Sequence, residues 1–144
     1  GHQVGDLALI KVSRKAREQL RDLDFLARYG GEEFAVVTEN LQLEQARLVA
    51  EKIRIILAAK EYAIREDKIR ITVSVGVSEW AGKDDKVAAL IARADAALYA
   101  AKSGGRNRTV LESDLPEAEL RKIVASRASR EGRPTEIMDL KTQA

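Results

Sequence analysis

The sequence contains no cysteine, which excludes disulfides, thiolate nucleophiles and sulfur-ligated metal sites. Its 144 residues include one histidine, so a His-rich zinc site is excluded and a Ser-His-Asp arrangement is disfavoured. Aromatic residues make up 4% of the chain, so any core must be packed from aliphatic side chains. No apolar run approaches the roughly 18 residues that a membrane-crossing helix needs, and no signal-peptide pattern is present. A cytoplasmic domain without membrane contact is the default expectation. The net charge of +2 is too small for the basic field that nucleic-acid binding requires. Carboxylate oxygens are left as the metal-binding option, and they favour a hard ion such as Mg²⁺.

The length fits one ordinary domain with a real core. Its most informative stretch is Arg28-Tyr29-Gly30-Gly31-Glu32-Glu33-Phe34. Apolar β-formers lie on both sides: Leu23, Phe25, Leu26 and Tyr29 before it, Phe34 to Val37 after it. The pattern predicts a β-hairpin turning at Gly30-Gly31, with Glu32 and Glu33 on the departing strand and pointing to opposite faces. Glycine accepts positive φ and lets a phosphate approach the backbone. Taken alone, the segment reads as a surface hairpin with solvated glutamates.

Helices are predicted on either side. Val4, Ala8, Val12, Ala16 and Leu20 lie four apart and mark a helix over residues 4–20. Ala46, Val49, Ala50, Ile53 and Leu57 mark a second over 43–59, and Val87, Leu90, Ile91, Ala94, Leu98 and Ala101 a third over 86–103, ended by Gly104-Gly105. Between the last two, a small hairpin is expected around Arg65-Glu66-Asp67. One strand is then expected over 69–78, its apolar set Ile69 to Val77 packing on helices. The small residues Thr72, Ser74, Gly76 and Ser78 either leave room for a ligand or meet a close-packed helix layer. A short strand over 108–111 closes the domain at about residue 112. Residues 113–144 are read as a further helix, with Pro116 in its first turn, and a polar tail from Ser126. The order predicts an α/β sandwich of ferredoxin-like type with a mixed sheet.

Five motifs now stand in order: Gly1-His2-Gln3-Val4-Gly5-Asp6, the Gly30–Phe34 segment, Thr72-Val73-Ser74-Val75-Gly76-Val77, Ala94-Asp95-Ala96-Ala97-Leu98-Tyr99-Ala100-Ala101-Lys102 and Gly105-Arg106-Asn107. Together they resemble the GGDEF domain of diguanylate cyclases in its GGEEF form, from Gly1 to about Leu111. The resemblance implies a nucleotide-cyclase/polymerase palm fold and the condensation of two GTP into cyclic di-GMP by a homodimer. It implies Mg²⁺, or equally Mn²⁺, as cofactor and a sensory or regulatory domain upstream in the parent protein. It assigns metal binding to Glu32 and Glu33, with Glu33 also helping to activate the attacking hydroxyl. GTP binding falls to His2, Asp6, Gly30, Gly31, Lys102 and Arg106. Asp95 is expected to be structural and Tyr99 to lie in the core.

Arg21 and Asp24 form an RxxD pair nine residues before Gly30, the spacing of the family's inhibitory cyclic di-GMP site. Lys52, or Arg54 two residues on, is the expected third contact. The family's opening strand, with DxDxFKxxND, is not found before Gly1, so the domain reads as truncated at its N-terminus. A catalytically impaired domain acting as a cyclic di-GMP receptor is the alternative reading.

Overall fold

The computed structural model describes residues 2–128 and 138–139. Helix α1 spans His2–Arg17, and strands β1 (Phe25–Arg28) and β2 (Phe34–Val37) form an antiparallel hairpin. Helix α2 (Leu43–Ala58) follows, then the hairpin β3 (Glu61–Ile64) and β4 (Asp67–Arg70). Strand β5 (Val75–Val77), helix α3 (Val87–Ser103) and strand β6 (Thr109–Leu111) make a parallel pair joined through a helix. A short 3-10 turn at Glu112–Asp114 leads to helix α4 (Glu117–Ala128), which packs on α3. Strand β7 (Met138–Asp139) pairs antiparallel with the outer edge of β1, Ala27 opposite Asp139 and Arg28 opposite Met138. The remainder of the polar tail lies outside the described residues.

The predicted helices are present to within a few residues. α1 stops at Arg17, where Gln19 and Leu20 donate to carbonyls three residues back and tighten the chain into a turn. α2 is started by outside help as well as its own: the Gln42 amide donates to Gln45 Oε1 at 2.9 Å, and the Leu43 amide to Glu79 Oε2 at 3.0 Å. A carboxylate at a helix N-terminus satisfies an orphan donor and faces the positive end of the dipole. The hairpin expected around residues 65–67 is formed, with a two-residue turn of Arg65 and Glu66 and with Asp67 already in β4; Arg65 stands at φ 57°.

Two apolar clusters hold the elements together. The larger joins Val12 and Ala16 of α1, Leu26 of β1, Ile53 and Leu57 of α2, and Tyr62 and Ile64 of β3. Leu57 and Ile64 are each 1% exposed, and burial of that kind contributes about 1.5–3 kcal/mol per side chain. The smaller cluster joins Ala50, Val77 and Leu111. The predicted apolar set is divided between them: Ile69, Ile71 and Val73 pack on the first, Val75 and Val77 belong to the second.

The single strand predicted over 69–78 is not formed. It is split into β4 and β5, and residues 71–74 join no ladder among the described residues. Apolar alternation records which side chains are buried, and that pattern persists where the backbone lacks a strand partner.

The small residues of that stretch meet a helix. A Cβ on Gly76 would lie 2.2 Å from the Ala94 carbonyl oxygen and 2.3 Å from the Leu98 amide nitrogen. β5 therefore lies directly on the backbone of α3, whose buried face is all alanine: Ala92, Ala96, Ala97 and Ala101. Tyr99 falls outside that face and is 73% exposed, contrary to its predicted core position. A face built for such close approach has no room for a phenol.

Candidate active site

The hairpin loop differs from the one predicted. Arg28 pairs with Phe34, so the turn is five residues, Tyr29 to Glu33, and both glutamates belong to the loop rather than to β2. The Tyr29 and Gly30 amides donate to the Glu33 carbonyl at 2.8 and 3.2 Å and close the loop at its base. Neither Gly30 nor Gly31 is at positive φ. Gly31 is not needed for internal packing either, since a Cβ there would meet nothing within 4 Å. It borders an open cavity of about 670 Å³ lined by Gly5, Asp6 and Leu9 of α1, Arg28 of β1, and Gly31, Glu32 and Glu33 of the loop.

Sequence reasoning gave no role to Arg28. Its Nε lies 3.2 Å from the carbonyl oxygens of both Gly30 and Gly31, and its Nη2 donates to Gly31 at 2.6 Å. These bonds draw the glycine carbonyls toward β1 and fix the shape of the loop. The only sequence signal was the position of an arginine two residues before the glycines, which has no meaning until the loop is known to fold back on it.

The structure thus brings Asp6, Gly31, Glu32 and Glu33 to one cavity. Lys102, from the last turn of α3, donates to Glu33 Oε1 at 3.1 Å, so a cation stands beside the carboxylates. Both partners are about two-fifths exposed, which makes the pair weak and exchangeable. Glu32 makes no hydrogen bond or ion pair among the described residues. Arg106 follows α3 at φ 63°, its amide donating to the Ala101 carbonyl at 3.0 Å. It is exposed and stands outside the cavity lining, as do Gly30 and Lys102. His2 opens α1, and its side chain is outside the described set.

Among the described residues no three His, Asp or Glu side chains cluster closely enough to hold a metal alone. Glu32 and Glu33 offer hard oxygens on one loop, which fits an ion that keeps waters and shares its shell with phosphates, as Mg²⁺ does.

At the other end of the hairpin, Arg21 and Asp24 are bound to each other. Arg21 Nη2 donates to Asp24 Oδ1 at 2.8 Å, and the Arg21 backbone amide to Asp24 Oδ2 at 2.8 Å. Hydrogen bonds from the Arg21 side chain hold the Asp24 carboxyl below its ordinary pKa, against the opposing effect of burial. Asp24 is 1% exposed, whereas Arg21 is half exposed and also reaches the Glu39 carbonyl at 2.8 Å. Lys52 is exposed on α2. Arg54 is engaged elsewhere, with Glu51 and Asn107.

Comparison with known proteins decides the family. The model of the diguanylate cyclase GGDEF domain matches residues 1–108. The chain belongs to the GGDEF family. Diguanylate cyclase A of Treponema denticola is 40% identical over 119 residues, 82% of this chain and 32% of that protein. This GGDEF chain thus spans about a third of that relative's length. The structure of the active GGEEF domain of a diguanylate cyclase from Vibrio cholerae superposes with a TM-score of 0.70 at 38% identity, covering 78% of this chain and 70% of the other. The GGDEF domain of DgcB from Caulobacter crescentus, in complex with c-di-GMP, superposes with a TM-score of 0.72 at 34% identity, covering 78% and 67%. The mixed α and β architecture predicted from the sequence is that of GGDEF cyclase domains.

Proposed function

We propose that this domain condenses two GTP molecules into cyclic di-GMP with release of two pyrophosphates, each of two domains in a homodimer holding one GTP. The observation that carries this reading is the single cavity shared by Asp6, Gly31, Glu32 and Glu33, with Lys102 beside Glu33. Asp6 accepts hydrogen bonds from the guanine N1–H and N2–H₂. The open space over Gly31 admits the phosphates. Lys102 and Arg106 supply positive charge to the terminal phosphates, and Lys102 leaves Glu33 to do so.

Glu32 and Glu33 hold Mg²⁺ or Mn²⁺, which when bound offsets charge on the triphosphate. The 3′-hydroxyl of one nucleotide forms a P–O bond to the α-phosphate of the other, the α–β anhydride bond breaks, and pyrophosphate leaves. Glu33, freed from Lys102, takes up the hydroxyl proton or orients the group that does. Two such steps close the ring. The chain's contribution is positioning and charge, and no covalent enzyme intermediate is required.

Product returns to Arg21 and Asp24. The exposed arginine offers a fork to phosphate or to the guanine Hoogsteen edge, and Lys52 adds a point charge. A receptor that binds cyclic di-GMP without turnover is the second reading. It is favoured by the Arg21–Asp24 pair, in which a buried carboxylate holds a half-exposed guanidinium.

The test is GTP turnover by the full-length protein with Mg²⁺, paired with calorimetry of cyclic di-GMP. Glu33→Gln is expected to lower turnover by about 100-fold or more with melting temperature unchanged. Undiminished turnover in that variant would remove Glu33 from the chemistry. Cyclic di-GMP binding that survives Glu33→Gln but is lost in Arg21→Ala supports the second site. Binding without any wild-type turnover makes the domain a receptor.

A further inference from the structure

We propose that Arg54 of α2 is a positioning residue for the phosphate grip, acting through Asn107 on its neighbour Arg106. Arg54 Nη1 donates to Asn107 Oδ1 at 2.9 Å and lies 3.3 Å from the Asn107 carbonyl oxygen, a contact spanning 53 residues. The guanidinium is itself held by Glu51, through Nε to Oε1 at 2.8 Å and Nη2 to Oε2 at 2.9 Å. Its side chain is 20% exposed and sits between that carboxylate and the loop.

The loop has reason to need such a tie. Arg106 and Asn107 stand at φ 63° and 45°, two consecutive residues in the left-handed region, which side chains other than glycine adopt at a cost. Such a conformation persists only where its surroundings hold it. From the α3 side the Arg106 amide is tied to the Ala101 carbonyl at 3.0 Å. From the α2 side the tie is Arg54. The Arg106 side chain itself makes no bond among the described residues, so the loop backbone alone sets where its guanidinium points.

The inference rests on Arg106 being a phosphate ligand, so its test has one arm that involves no nucleotide. In the full-length protein, Arg54→Met is expected to weaken GTP binding about tenfold while leaving GMP, which lacks the terminal phosphates, unchanged. In an Arg106→Ala background the same change should have no further effect. Asn107→Asp keeps a side-chain acceptor and should retain affinity; Asn107→Ala removes the side-chain acceptor without the freedom of glycine at positive φ and should lose it, and it carries the comparison if Arg54→Met does not fold. Without nucleotide, Arg54→Met should speed amide exchange over residues 104–108. Unchanged exchange there, equal weakening of GTP and GMP, or a full additional loss on top of Arg106→Ala overturns the positioning role. A wild-type protein that binds no GTP overturns the proposed function itself, and the exchange arm then decides whether Arg54 orders the loop.

Discussion

Gly31 and Gly76 are the same residue put to opposite uses. At Gly76 the protein's own backbone fills the place of a side chain, with the Ala94 carbonyl oxygen 2.2 Å from a hypothetical Cβ. At Gly31 nothing stands within 4 Å, and the space opens on the cavity. Charges divide the same way. Within α3, Arg93 is 13% exposed and saturated: it holds Asp85 at 2.6 Å, Glu112 at 2.6 Å and the Glu79 carbonyl at 2.9 Å. Hydrogen bonds from Arg93 hold the Asp85 carboxyl well below the usual carboxylate range. At the cavity, Glu32 is unpaired among the described residues, and there the Glu33 carboxylate has only the exchangeable Lys102. Where groups are saturated they hold the fold together. Where they are left open, something outside the chain is expected to complete them.

The comparison can be broken most sharply at Gly76. Gly76→Ala should destabilise the domain by about 3 kcal/mol or more, because both neighbours are backbone and cannot give way. Chemical denaturation checks this, and a change below about 1 kcal/mol would mean that β5 and α3 can separate cheaply. Gly31→Ala should leave stability within about 0.5 kcal/mol and instead raise the KM for GTP about tenfold. Unchanged GTP kinetics in that variant would detach the open space from the nucleotide.

The smallest effect concerns acid. Hydrogen bonds from Arg54 lower the Glu51 pKa from 4.5 to about 2. The Thr109 hydroxyl lies close by and adds to the depression, although it makes no well-formed hydrogen bond. A depressed carboxylate contributes stability above its unfolded value and loses it as pH falls toward the folded one. Glu51→Gln should therefore be less stable than wild type at neutral pH. The gap should narrow between pH 4.5 and about 2, as read by melting in a pH series.

Much of the frame was legible from spacing. Apolar residues four apart marked α1 and α2 because burial needs one face of a helix, and Arg65 with Glu66 marked the β3–β4 turn. Asp6, Glu32 and Glu33, named together from separate motifs, do line one cavity. The failures share one cause. The five-residue loop, the break at residues 71–74, exposed Tyr99 and the contacts made by Arg28 and Arg54 all depend on partners distant in sequence or on backbone closure. Periodicity says that a residue is buried or turned outward; it does not say against what.

The β5–α3–β6 unit is one unbroken stretch of chain from Val75 to Leu111 whose three elements all pack on one another, so it should be among the last parts to open. Lys102 and Arg106 ride on it, whereas Glu32 and Glu33 ride on the β1–β2 hairpin. Cations and carboxylates therefore belong to two different pieces of chain. Local opening of the hairpin would part them while the β5–α3–β6 unit stays folded, so the site should come apart at a lower denaturant concentration than the protein does.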